Sequence, residues 1–356
     1  MHKQLIGAAV AVQCELTSCE LCESCLRAVR ACAKSIRAVR LLCSVMLHTT
    51  LLCTAALAAA RGGPSWTAAK REHFAANGYV LQPDVIRPED RDALVAAFER
   101  VFRGEFDTGT YPDEWHWREG ISKPEAFREI VNAWKSDDAV AAVALDAAIG
   151  KRAAELMGWR GARLAQDDVL WKPPGASGVA YHTDGKYISD NFVPRDENSV
   201  TVWIALDDAD AATGVVEYAR GSHRWPRGDD AAASFHDGAG ADPVTRAAAA
   251  AGVELTVDRH EVSACSAVFH HQGVWHGSAA NASPDRPRRA LGLHYIRDDV
   301  RFRRDPDYIY GRYDLGDGVV HDAFFPRVYP ASPAAARRLG VTVDRRRPSS
   351  DAAPST

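Results

Sequence analysis

The sequence predicts an α+β domain in which a helical N-terminal half packs outside a core of many short strands. Two patterns carry this. Apolar positions recur at helical spacing up to about residue 157. Beyond Gly158 and Gly161 the chain breaks into short β-branched and aromatic runs separated by turn residues. Helices first and strands afterwards is the order expected when helices cover an all-β core. Helical periodicity falls in 67–76, 88–102 and 124–157, with Pro88 suited to a first turn and Asp84 close enough to cap it. Strand-like runs follow at 168–172, 178–183, 199–206, 214–218, 254–257, 267–271 and 289–296. The stretch 185–198, with Tyr187 and Phe192, is long and irregular enough to cover a site as a lid, and alanine-rich 229–251 reads as an inserted surface helix or loop.

The strand-rich half carries the chemistry. Tyr181-His182-Thr183-Asp184-Gly185 is answered 92 residues after Asp184 by Trp275-His276-Gly277-Ser278, and then by Arg288. Two imidazoles and a carboxylate, the close pair two positions apart, are the ligand set of the facial triad of non-haem iron sites. In a strand, residues two apart share a face, so His182 and Asp184 could reach one ion while Thr183 points away; a helix would set them about 200° apart. Alone, His-x-Asp is weak, because thirteen histidines and 47 acidic residues produce such pairs by chance on solvated loops. Arg288 adds to it. In Arg288-Arg289-Ala290-Leu291-Gly292-Leu293-His294-Tyr295-Ile296, Arg288 shares a face with Ala290, Gly292 and His294, while Arg289 shares the other with Leu291, Leu293 and Tyr295. Small neighbours leave room beside Arg288 for a dicarboxylate, which guanidinium grips with two parallel hydrogen bonds.

At this point the chain resembles the phytanoyl-CoA dioxygenase-like branch of the iron(II)/2-oxoglutarate-dependent oxygenases. The resemblance runs from about Trp66 to about Arg327. It rests on His73-Phe74-Ala75-Ala76-Asn77-Gly78-Tyr79-Val80, Trp171-Lys172-Pro173-Pro174-Gly175, and Thr213-Gly214 leading to Gly221-Ser222-His223. Phe269-His270, His276-Gly277-Ser278, Asn281 and Arg288 complete it. It departs at Arg220, where the family usually has proline, a change in a turn that leaves the metal chemistry untouched.

The resemblance implies a double-stranded β-helix, the jelly-roll or cupin-like barrel. It implies that His182, Asp184 and His276 ligate Fe(II) and that Arg288 holds the C5 carboxylate of 2-oxoglutarate, with Ser278, Trp203 and Lys172 lining the cosubstrate site. It also implies that 2-oxoglutarate and O2 are cosubstrates, leaving as succinate and carbon dioxide while a substrate C–H bond is oxidised. Family members that halogenate lack the carboxylate, so Asp184 favours hydroxylation of a small organic substrate, an acyl-CoA or lipid-like molecule among the candidates. Two other classes remain open: a zinc-dependent hydrolase or isomerase using the same three ligands, and a silent barrel that only binds. Arg288 and the intact ligand set argue against both.

Other residues carry plainer readings. One of His270 and His271 should face the interior in a structural or supporting role. His294 either approaches the site or is a hydrogen-bonded interior histidine, and Trp203 is as well suited to core packing as to the cosubstrate pocket. His223, His236 and His260 read as turn or surface residues. Arg297, Arg301, Arg303 and Arg304 are balanced by Asp298, Asp299, Asp305 and Asp307, as on a solvated face.

Length and charge set the outer bounds. With 356 residues, 46% hydrophobic, the chain is long enough for one large catalytic domain, placed at 66–330 with a C-terminal tail at 331–356. A net charge of −4 leaves no electrostatic footprint for nucleic acid, so the partner is a small molecule, and nothing indicates a protein partner. Seven of the eight cysteines precede residue 54, leaving Cys265 in the body, so the domain should fold without disulfides. The spacing Cys19-x-x-Cys22-x-x-Cys25 lacks a second pair to complete a metal site. Residues 1–65 read as a leader: a basic run from Arg27 to Arg40 precedes the uncharged stretch 41–60, as in a signal peptide, a membrane anchor or an organelle transit peptide. Secretory, membrane-anchored and organellar locations are all compatible with it. Translation from Met46 would give a compact signal peptide.

Overall fold

In the computed structural model, residues 66–226 and 242–340 are described, and they belong to one compact unit. The leader with its possible tether at 41–60, His236 and the tail 341–356 lie outside the described residues. Among the described residues no helix is long and apolar enough to cross a membrane.

Helix α1 (Ala68–Asn77) starts where the Thr67 side chain accepts from the Lys70 amide, and stops at Gly78, whose φ of 85° only glycine adopts freely. A Cβ on Gly78 would lie 2.6 Å from the His223 ring. The chain turns there into β1 (Tyr79–Gln82). Helix α2 (Pro88–Phe102) has its proline in the first turn as expected, but Arg87 occupies the cap position without a side-chain bond, and Asp84 does not cap.

The expected helix over 124–157 is not continuous. After β2 (Glu114–Trp115), the segment contains β3 (Arg128–Val131), a 3-10 turn at Ala133–Lys135, and two helices, α3 (Asp138–Ala144) and α4 (Ala147–Met157). The reason is local. β3 pairs with the next strand through Arg128↔Trp171 to Val131↔Asp168, and the buried Asp167 carboxylate accepts from the Ala133 and Trp134 amides, fixing the turn. Asp137 and Asp146 then cap α3 and α4 separately.

The strands β4 (Ala162–Lys172), β7 (Ser199–Ala205), β10 (Ala267–His271) and β12 (Arg288–Arg297) form the centre of the larger antiparallel sheet, in the order β1-β10-β7-β12-β4-β3-β2. The smaller sheet consists of β5 (Val179–His182), β11 (His276–Ser278), β8 (Val216–Ala219) and β9 (Val257–Arg259), in that hydrogen-bonding order. Most expected strands recur within a few residues. β4 starts six residues earlier than hydropathy suggests, because Gln166, Asp167 and Asp168 are buried polar residues with partners. Within the stretch 229–251 the described residues form α5 (Asp242–Ala251).

Strand β12 shows how the layers divide. Leu291, Leu293 and Tyr295 face outward into the core beneath the helices, with the Tyr295 hydroxyl bonded to the Ala144 carbonyl at 3.0 Å. Arg288, Gly292 and His294 face inward and line the central cleft. The segment 185–198 is tied down rather than irregular: Phe192 is buried against Phe302, Tyr310 and Phe325, and the Asn198 side chain donates to the Ser189, Phe192 and Pro194 carbonyls. The folded body continues past residue 330, since Ala335 is buried in a short C-terminal helix (Pro333–Arg338) whose Arg338 donates to the Trp134 and Asp137 carbonyls. Cys265 is free.

Because Leu293 is fully buried between sheet and helices, Leu293→Ala should cost about 2–5 kcal/mol of stability. Chemical denaturation would show this as a lowered midpoint with an unchanged slope; a loss below about 1 kcal/mol would contradict the layer assignment.

Candidate active site

The site begins with the cross-strand partnership of His182 and His276, which face each other where β5 pairs with β11. His182 closes β5, and Thr183 leads into a single helical turn, Asp184–Tyr187. The expectation that His182 and Asp184 sit on one continuous strand is therefore corrected: the strand ends between them. The turn still brings Asp184 Oδ1 to 3.6 Å from His182 Nε2 and 3.4 Å from His276 Nε2. One ligand atom from each residue lies within 4.8 Å of the others, and all three side chains are buried.

Backbone carbonyls set both imidazole tautomers. His182 Nδ1–H donates to the Ala180 carbonyl at 2.8 Å and His276 Nδ1–H to the Val274 carbonyl at 3.0 Å, which leaves each Nε2 with a lone pair. Burial pushes both imidazole pKa values down to about 4, so they are neutral, the form that binds metal. Burial alone would raise the pKa of Asp184, but the surrounding His276, His270 and His294 rings hold it well below the usual carboxylate range. Two neutral nitrogens and one anionic oxygen that converge in the cleft lining fit a divalent ion such as iron.

The outer oxygen of Asp184 is fully engaged. Oδ2 accepts from the Thr201 hydroxyl and from His270 Nε2–H at 2.9 Å. Thr201 Oγ1 lies 2.8 Å from His294 Nδ1, and His294 Nε2 lies 2.7 Å from Asp168 Oδ2. Thr201 has one hydroxyl hydrogen. Once it is given to Asp184, Oγ1 must accept from His294 Nδ1–H, so His294 is doubly protonated between two carboxylates. Its pKa is raised accordingly: burial opposes the charge, and Asp168 and Asp184 outweigh it. His270, His294 and Thr201 thus support the metal site, while His271 bonds Glu197 instead. His223 lies in a 3-10 turn with its Nε2 3.2 Å from the Ala75 carbonyl, and His260 contacts the Tyr79 hydroxyl at 3.2 Å, so neither approaches the cleft.

Farther along the cleft Arg288 enters its lining, with Lys172 its register partner on β4. Arg288 is buried, donates Nη1–H to the Gly214 carbonyl at 2.6 Å, and has its Nε buried with no partner. Gly214 is itself confined: φ is 70°, and a Cβ would meet the Ala279 carbonyl oxygen at 2.4 Å. Lys172 is buried and donates to Ser278 Oγ at 2.8 Å and to the Ala279 carbonyl at 2.6 Å. Burial, with Arg288 close by, pushes its pKa down to about 6; burial also brings Arg288 down to about 10. Among the described residues neither forms an ion pair. Trp203 lines the cleft and carries the Arg288 guanidinium 5.4 Å from its ring centroid, while also packing in the inner core, so both readings of this residue hold. Phe127, Leu170, Val179 and Val216 supply apolar walls. Sequence reasoning did not single out Thr201 or Asp168; their register opposite His294 and Gly292 is the signal that could have found them. The basic run forms exposed pairs, Arg297 with Asp299, Arg303 with Asp307 and Arg304 with Asp305.

Solved structures share this fold. SnoN, a non-haem α-ketoglutarate-dependent epimerase from nogalamycin biosynthesis, matches at 20% identity and a TM-score of 0.55, over 73% of this chain and 97% of its own. SnoK, the α-ketoglutarate-dependent carbocyclase of nogalamycin biosynthesis, matches at 25% identity and a TM-score of 0.57, over 75% of this chain and 99% of its own. EctD from S. alaskensis, solved with 2-oxoglutarate and 5-hydroxyectoine, matches at 17% identity and a TM-score of 0.53, over 70% of this chain and 86% of its own. No curated protein matches by sequence. The fold is the double-stranded β-helix, and fold and site together define an enzyme of the iron- and 2-oxoglutarate-dependent oxygenase class. The phytanoyl-CoA dioxygenase model matches residues 74–290, and the chain belongs to that family.

Since both imidazoles are already neutral, protons should not compete with metal until the pH approaches about 4. Divalent-metal affinity measured by calorimetry should change less than about threefold between pH 7.5 and 6. Two histidines of ordinary pKa near 6.5 would lose about tenfold over that interval. A loss of that size would show that the site is not preformed.

Proposed function

We propose that this protein is an Fe(II)- and 2-oxoglutarate-dependent dioxygenase that hydroxylates a small organic substrate, with His182, Asp184 and His276 as the iron ligands. The observation that carries the reading is the unpaired cationic end of the cleft. A buried guanidinium with an orphaned Nε–H, beside a buried Lys172 whose charged form burial disfavours, is costly unless an anion completes it. A 2-oxo acid bound at the metal with a second carboxylate at its far end supplies that anion. A zinc hydrolase has no use for it, and a silent barrel has no reason to maintain it.

Iron bound there, with 2-oxoglutarate and O2, supplies an oxidant for a substrate C–H bond, the 2-oxoglutarate leaving as succinate and carbon dioxide. The protein's own groups do the positioning. Arg288 would donate to the C5 carboxylate, its Nε–H being available while Nη1–H is held by the Gly214 carbonyl. Lys172 orients the Ser278 hydroxyl, and a bound anion would favour its protonated form. Trp203 presents its ring face to the Arg288 guanidinium. Leu170, Val179, Val216 and Phe127 limit water in the cleft and leave an apolar surface for the substrate. The carboxylate at 184 supports hydroxylation, because it occupies the position that a halide would need.

Incubating the protein with Fe(II) and 2-oxoglutarate should yield oxygen-dependent succinate even without the true substrate, and Asp184→Ala should abolish it. In Arg288→Leu the KM for 2-oxoglutarate should rise about 10–100-fold, the value of a charge-assisted hydrogen bond, with a smaller change in kcat. An unchanged KM would remove Arg288 from the cosubstrate site, and a wild-type protein that makes no succinate and binds no 2-oxoglutarate would favour the zinc or binding-protein alternative.

A further inference from the structure

Resting on the function proposed above, we infer that Thr201 and His270 are positioning residues that hold Asp184 as a one-oxygen ligand and so keep a coordination position open for O2 beside a chelating 2-oxoglutarate. A carboxylate beside a divalent ion can bind through one oxygen or two. Bound through two, Asp184 would fill four positions together with the two histidines, and too few would remain for a chelating 2-oxo acid and O2 on an octahedral ion.

The structure decides between the two forms by hydrogen bonding. Oδ1 is the oxygen that faces His182 Nε2 and His276 Nε2. Oδ2 points to the larger sheet, where the Thr201 hydroxyl and His270 Nε2–H both donate to it. These donors sit on neighbouring strands as direct partners, Thr201 on β7 opposite His270 on β10. Thr201 is turned toward Asp184 because His294, its partner on β12, occupies the other side of Oγ1. His294 is in turn held by Asp168, which accepts a second bond from Gln166 Nε2 at 2.7 Å. The arrangement extends further, since the Tyr310 hydroxyl donates to Gln166 at 3.0 Å. Rotating Asp184 to present Oδ2 to the metal would break two buried hydrogen bonds and strand their donors.

The test separates this role from simple support of the fold. Full-length wild-type protein, Thr201→Val, Thr201→Ser and His270→Gln are loaded anaerobically with Fe(II). Metal affinity is read by calorimetry, 2-oxoglutarate binding by the visible absorption change on its addition, and the remaining position by the dissociation constant of nitric oxide, an O2 surrogate, for the protein holding Fe(II) and 2-oxoglutarate. In Thr201→Val the dissociation constant for nitric oxide should rise about tenfold or more, the value of a hydrogen bond to a charged group, while metal affinity is retained or increased. Thr201→Ser, which keeps the hydroxyl, should restore nitric oxide binding, and His270→Gln should fall between. If metal and nitric oxide affinities fall together, the two residues merely support the site and the inference is wrong. It is equally wrong if both affinities are unchanged in Thr201→Val. A wild-type protein that binds Fe(II) but gives no response to 2-oxoglutarate overturns the proposed function and this inference with it, an outcome distinct from the other two.

Discussion

Three donor atoms from two strands and a helical turn must converge on one point, and the pairing register of β5 with β11 is the constraint that makes them do so. His182 and His276 are cross-strand partners in the smaller sheet, and their ring centroids are 4.3 Å apart. Side chains alternate along a strand, so a slip of one residue in either strand would send one imidazole out of the cleft. The same logic governs the opposite wall. One row across the larger sheet runs Tyr79, His270, Thr201, His294 and Gln166, each the register partner of the next. The row beside it runs Val268, Trp203, Gly292 and Asp168. The metal-ligating groups thus belong to one sheet and its helical turn, the groups that aim Asp184 belong to the other, and the site exists where the two inner faces meet.

That division explains how a polar centre is tolerated inside the barrel. The outer face of the larger sheet packs Leu291, Leu293, Tyr295, Val202 and Phe269 against the helices in the main apolar cluster. Stability comes from that layer, which touches no part of the reaction. The inner face is then free to hold imidazoles and carboxylates, provided that each finds a partner. Most do: Asp168, His294, Thr201, Asp184 and His270 form one continuous hydrogen-bonded chain. Small residues at Ala290 and Gly292 keep the cleft from being filled by side chains of the strand that carries Arg288.

Much of this was legible in the sequence where chemistry and periodicity agreed. The two faces of β12 follow from strict alternation, and His182, Asp184 and His276 come together as their residue types suggested. What was not legible depended on partners distant in sequence. Ile130 and Val131 sit in a stretch with helical periodicity, yet pairing with Val169 and Asp168 makes a strand of it. β4 runs through Gln166, Asp167 and Asp168, which look like loop residues until their partners Asn132, His294 and the Ala133 and Trp134 amides are seen. Phe192 looked like part of an open lid because nothing in the sequence announces the pocket formed by Phe302, Tyr310 and Phe325 more than a hundred residues later.

The two ends of the cleft differ in one respect that bears on how the site assembles. At the metal end the protein supplies everything that orients the ligands: both imidazole tautomers are set by backbone carbonyls, and the outer oxygen of Asp184 is held by two donors. Such a site is preorganised, and a metal ion entering it displaces none of these bonds. At the other end Arg288 keeps a buried donor unused, and Lys172 is held by a hydroxyl and a carbonyl and forms no ion pair among the described residues. That end carries an uncompensated desolvation cost of the kind that folded proteins avoid outside functional sites. On the function proposed, the asymmetry sets an order of completion: the protein alone completes the metal pocket, and an anionic cosubstrate would complete the arginine pocket. The stabilisation from neutralising buried charge would then add to chelation at the metal, both acting on the same molecule.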